Sequence, residues 1–123
     1  MTNRYERSQL LLSQRRYDLA ERELRGLLAD EPNDGVSLAL LALCILNDND
    51  RKTEATDTAQ RAVAVAPDES LCHYALATCF LQRNRFDEAE AAIQTSLNLD
   101  PYDADAYAVL ARALFGRKRY ADA

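Results

Sequence analysis

The three prolines of this chain stand at positions 32, 67 and 101, separated by 35 and 34 residues. A fixed beat of about that length marks a repeated structural unit. Other residues keep the same time: Ala20, Ala55, Ala89 and Ala123 recur at steps of 35, 34 and 34. Tyr17-Asp18-Leu19-Ala20, Phe86-Asp87-Glu88-Ala89 and Tyr120-Ala121-Asp122-Ala123 are one tetrad written three times. The repeats fall at about 1–34, 35–69 and 70–103, with a truncated fourth at 104–123. The second carries one extra residue, placed most simply in Asn47-Asp48-Asn49-Asp50.

Each unit reads as two helices. Leu76, Ala77, Phe80 and Leu81 lie at helical spacing on one face, and Phe86, Ala89, Ile93 and Leu97 on another. Asp100-Pro101 ends the second helix, because a residue before proline is driven out of the α region. The pattern predicts helices over 3–14, 17–30, 36–47, 52–65, 70–82, 86–98 and 104–116, with a further stub beginning near Tyr120. No stretch alternates strictly enough to predict a strand. Short connections make neighbouring helices antiparallel. A single hairpin cannot bury its apolar seam, so the hairpins must stack into an all-α solenoid.

Composition narrows the function. The net charge is −5, which argues against a general nucleic-acid binder. No apolar run approaches the ~20 residues of a membrane span, and the first residues contain no secretory apolar segment. Three cysteines, none in a CxxC pair, read as buried free thiols in a reducing compartment, and hence a cytoplasmic protein. A single histidine leaves no room for a His-based triad or most zinc sites.

The units resemble tetratricopeptide repeats. The second reads Leu38-x-x-Leu41-Ala42-x-x-Ile45, then Ala55, Ala59 and Pro67; the third reads His73-x-x-Leu76-Ala77-x-x-Phe80, then Ala89, Ile93 and Pro101. The fourth reads Tyr107-x-x-Leu110-Ala111-x-x-Leu114, then Ala123. The first is weaker, with Arg4 and Arg7 at apolar positions, as suits an end that has no neighbour. The resemblance implies a right-handed superhelix with small residues where helices approach closely, at Ala20, Ala42, Ala55, Ala77, Ala89 and Ala111. It also leaves the seam at Leu110 and Leu114 partly uncovered, so the chain reads as the N-terminal piece of a longer array.

No catalytic or cofactor motif is present: no GxSxG, GxGxxG, phosphate-binding loop or HExxH. The acidic pairs Asp68-Glu69 and Asp87-Glu88 lie at helix starts, where carboxylates suit the helix dipole. Asn47 to Asp50 lacks the glycine and distant glutamate of a calcium loop. His73 is expected as a packed, hydrogen-bonded side chain, and Arg117-Lys118-Arg119 as a solvated loop between the last two helices.

What remains is a binding surface. The resemblance implies a concave groove lined by the first helix of each unit. Its positions here are Tyr5, Gln9 and Leu12; Ala39, Leu40 and Leu43, beside Val36; Leu71, Tyr74, Thr78 and Leu81; and Arg112 and Phe115, beside Asp105 and Ala108. The surface is largely apolar with tyrosine anchors, which suits a non-enzymatic scaffold binding a peptide or helix of a partner protein. Some relatives clamp a chaperone's C-terminal carboxylate through cations. The matching positions here, Tyr5, Gln9, Leu40, Leu71 and Ala75, carry none, so no carboxylate clamp is expected. The alternatives are homodimerisation through the C-terminal edge at Leu110, Leu114 and Tyr120, and service as an N-terminal appendage of a longer enzyme or membrane-anchored protein.

Overall fold

A computed structural model describes residues 4–121, without the side chains of Arg4, Tyr5 and Ala121. It contains α1 (Arg4–Ser13), α2 (Tyr17–Asp30), α3 (Gly35–Leu46), α4 (Lys52–Val65), α5 (Ser70–Gln82), α6 (Phe86–Leu99) and α7 (Ala104–Ala121), with a single 3-10 turn, Asn49–Arg51. The chain is all-α, as the periodicity predicts. Ala123, the last beat of the repeat, lies outside the described residues.

The helix ends repeat as faithfully as the sequence. Before each proline the last residue leaves the helical conformation while its N–H closes the helix: Glu31 onto Leu27, Ala66 onto Ala62 and Asp100 onto Ser96, each at 2.9 Å. The next peptide nitrogen is proline's and has no hydrogen to give. Within the first and third hairpins the turn is a Schellman motif. Arg16 N–H reaches Leu11 O at 2.8 Å and Arg85 N–H reaches Phe80 O at 2.9 Å. The residue between, Arg15 or Asn84, is left-handed, with φ of 59° and 60°. The second hairpin uses its extra residue differently. Asp48 caps the 3-10 turn by accepting from Asp50 N–H at 3.0 Å, so the expected loop is a tight helical turn.

Consecutive helices pack as antiparallel hairpins, and each hairpin docks on the next. The odd helices touch one another (α1 on α3, α3 on α5, α5 on α7), while the even helices do not. The stack therefore curves with the odd layer inside. Alanines permit the approach: Ala20, Ala42, Ala55, Ala59, Ala77 and Ala89 are wholly enclosed. Leu24, Leu38, Ile45 and Ile93 fill the spaces between them, and truncating any to alanine would cost ~2–5 kcal/mol. Cys44, Cys72 and Cys79 are free and buried, as expected.

One expectation fails at the C-terminal end. Helix 104–116 does not stop: α7 runs on through the Arg117–Arg119 segment to Ala121, so there is no loop and no separate stub. Continuing keeps every backbone bond and avoids a left-handed residue at Lys118, the counterpart of Asn84. Side chains hold the extension. Arg117 pairs with Glu90 at 2.6 Å and Asp87 at 3.6 Å. The rings of Tyr120 and Phe86 lie 5.2 Å apart. Gly116 makes room for Phe86, whose ring a Cβ there would strike. Ala111 is consequently exposed rather than enclosed.

Candidate functional site

The inner layer of odd helices carries the predicted groove residues, and the structure separates them into three kinds. Ala39 is fully enclosed, and Leu40 and Leu81 are 6% exposed, so these serve the core. Leu12, Leu43 and Leu71 are half-buried, packed on the core with one side open. Gln9, Arg112 and Phe115 are exposed. The side chain of Tyr5 lies outside the described residues.

The best-formed part lies between α5 and α7. Tyr74 is half-buried. Burial raises its hydroxyl pKa, with Asp105 and Asp103 pushing the same way and Thr78 and Arg112 opposing. Tyr74, Thr78 and Arg112, predicted separately, are therefore electrostatic neighbours. Thr78 spends its hydroxyl on Tyr74 O at 2.9 Å, a common i−4 bond. Further along, a cleft of about 750 Å³ is lined by Leu81, Phe86, Ala111, Phe115, Gly116 and Tyr120, with Gln82 at the end of α5 and Asn84 on the turn. Arg112 and Arg119 are its charged side chains, and no carboxylate lines it. The cleft lining combines apolar side chains with two guanidinium groups, within a chain that is negative overall.

Sequence reasoning missed Phe86, Arg119 and Tyr120 as groove residues. They enter because α7 does not turn at Lys118. Gly116, a residue without Cβ at the end of an otherwise regular pattern, was the available signal. His73 is hydrogen-bonded, as expected: its Nε2 lies 2.7 Å from Pro67 O. Tyr107, one repeat later, donates its hydroxyl to Pro101 O at 2.9 Å. Among the described residues no group of three or more His, Cys, Asp or Glu side chains is placed to hold a metal. No described helix is long and apolar enough to cross a membrane.

A tetratricopeptide repeat family model matches residues 74–123, and the model of anaphase-promoting complex (cyclosome) subunit 3 matches 13–96. The chain belongs to the tetratricopeptide repeat family. The comparison with curated protein sequences finds no match. Among solved structures, the first tetratricopeptide repeat domain of human RPAP3 superposes with a TM-score of 0.84 at 16% identity, covering 96% of this chain and 92% of that one. The first such domain of Spaghetti (RPAP3), bound to the HSP90 peptide SRMEEVD, gives 0.78 at 17%, covering 92% and 89%. Naa15/Naa10 bound to HypK-THB gives 0.79 at 16% and covers 95% of this chain, which spans only 19% of that one. These likenesses establish the stacked-hairpin fold, and the RPAP3 complex is an instance of that fold holding a peptide.

Proposed function

We propose that this tetratricopeptide repeat domain is a non-catalytic scaffold whose inner face binds a segment of another protein. The segment runs past Leu43, Leu71, Tyr74 and Thr78 and ends in the cleft at Arg112 and Phe115. The supporting observation is that cleft: apolar walls, two guanidinium groups and no carboxylate. It suits an apolar side chain beside an Asp or Glu, the apolar group supplying affinity and the charge supplying orientation. The pairing with charge is consistent with α7's Arg112 and Arg119, not with a clamp on the earlier helices, where the corresponding positions are uncharged.

The test is selection from a random peptide library displayed on phage. Selected peptides should carry an aliphatic or aromatic residue next to an acid. Tyr74→Ala and Arg112→Glu should each lose them while circular dichroism stays helical. Peptides bound equally by both variants would remove the inner face as the working surface. A second reading, self-association through the C-terminal helix, is favoured by the exposed face of α7, where Tyr107 and Leu114 are 50% and 38% exposed.

A further inference from the structure

The exposed face of α7 differs from every other exposed helix face among the described residues. Ala106, Val109, Ala113 and Gly116 turn inward and are buried. Opposite them, Ala104, Tyr107, Ala108, Ala111, Leu114 and Phe115 are all exposed, and the first charge on that stripe is Lys118. By contrast, α2 exposes Asp18, Arg22, Arg25 and Asp30, and α6 exposes Asp87, Glu88, Gln94 and Asn98. An apolar stripe of this length at helical spacing is a surface for another helix.

The order of residues along the stripe indicates which helix. Counting outward from Ala111, the residues three away are Ala108 and Leu114, four away Tyr107 and Phe115, and seven away Ala104 and Lys118. Small residues on one side answer large ones on the other, and Tyr107 answers Phe115. Charge is segregated in the same sense. Asp103 stands at the start of the helix, using one oxygen, Oδ1, to cap Asp105 and Ala106 N–H groups, while Lys118 and Arg119 stand at the end. A helix acidic at its start and basic at its end complements an antiparallel copy of itself, as a two-fold contact requires.

We propose that α7 pairs antiparallel with α7 of a second copy of this chain, about a two-fold axis at Ala111. This rests on the second reading above, and it covers the cleft wall at Ala111 and Phe115 that the first reading gives to a peptide. The small side chains at the axis let the backbones approach closely. Tyr107 then stacks on Phe115 of the second copy, Leu114 covers its Ala108, and Lys118 reaches its Asp103. An 18-residue helix is about 27 Å long, so the contact lies toward the small end of specific interfaces, and the dimer is a concentration-dependent one.

The test uses the whole chain. Sedimentation from micromolar to millimolar concentration should show reversible dimer. Leu114→Glu, which would bury an unpaired carboxylate, should weaken it by at least about tenfold. Lys118→Glu should weaken it, and adding Ala104→Lys to that variant should restore it. Because the three native thiols are buried, Ala111→Cys should cross-link efficiently on oxidation and Tyr107→Cys poorly. A monomer at every concentration overturns self-association itself. A dimer that cross-links as well through position 107 as through 111 overturns only the antiparallel geometry. If Leu114→Glu fails to fold, the two cysteine variants still decide.

Discussion

Arg51 grips Glu21 with both arms of its guanidinium, each hydrogen bond 2.8 Å long, from the second repeat to the first. The same Arg51 reaches Glu54 through Nε at 2.9 Å, and Arg25 joins both carboxylates, at 2.9 Å to Glu21 and 3.2 Å to Glu54. Helices α2 and α4 do not pack against each other. This ring of four side chains bridges the outer layer where backbones do not, joining the first hairpin to the second. Part-buried, bidentate and networked, it escapes the usual weakness of surface ion pairs.

The ring makes stability depend on pH with a definite sign. The Arg51 hydrogen bond, helped by Arg25, holds the Glu21 carboxyl at about 2, against an ordinary value of 4.5. The folded state therefore binds fewer protons than the unfolded one between those values. The stabilisation is complete above about 4.5 and is lost as pH falls toward about 2. Glu21→Gln should lower neutral-pH stability by about 1 kcal/mol, several degrees in Tm. The deficit should vanish near pH 2. Melting curves of both proteins from pH 7 to 2 check this, and parallel curves would remove the network from the account.

Arg15 and Asn84 hold the same place in their repeats and the same left-handed backbone, but only asparagine takes that conformation at low cost. Arg15 is exposed. Arg15→Asn should stabilise the domain by up to about 1 kcal/mol, and Asn84→Ala should destabilise it by a similar amount. Urea denaturation of the two variants measures both signs.

Gly35 is a matter of space rather than conformation. A Cβ there would run into Ala66 Cβ and press on Cys72 Sγ, where the start of α3 meets the ends of two neighbours. Helix propensity favours alanine over glycine by at most ~1 kcal/mol, whereas forcing a methyl into a packed joint costs ~1–3 kcal/mol. Gly35→Ala is expected to be net destabilising, by thermal melt, even though it is a better helix former.

The repeat frame was legible because its causes are local: proline stops, alanines at close approaches and apolar positions at helical spacing. The failures are non-local. Ala39, Leu40 and Leu81 fit a groove when each helix is read against its own hairpin partner. They are buried because the odd helices also press on one another, a contact between residues a repeat apart. The Arg117–Arg119 segment matches the two earlier turns in sequence. Whether it bends is decided by Phe86, Glu90 and Asp87 on α6, which reward a straight helix. The Glu21–Arg51 pair has no local signature at all, since neither residue belongs to the repeat pattern.

The buried thiols should report the order in which the stack opens. Cys44 Sγ lies 3.0 Å from Tyr17 O, at the joint of the first and second hairpins. Cys72 Sγ lies 3.4 Å from Gly35 O, at the joint of the second and third. Burial pushes the Cys44 and Cys72 thiols up to about 11 and that of Cys79 to about 12, so none is a thiolate at neutral pH. Reaction with a disulfide reagent at pH 8 must then wait for opening. In a solenoid the terminal units have one neighbour and the inner ones two, so ends open first. The first hairpin is also the one whose first helix carries Arg7 paired with Glu23 in place of an apolar contact. Cys44 should therefore be labelled faster than Cys72 or Cys79 at low denaturant, with all three converging at the unfolding midpoint. Mass spectrometry of peptides from timed labelling resolves the three rates. Identical rates throughout would mean that the domain opens as one cooperative unit, and that its joints have no separate stabilities.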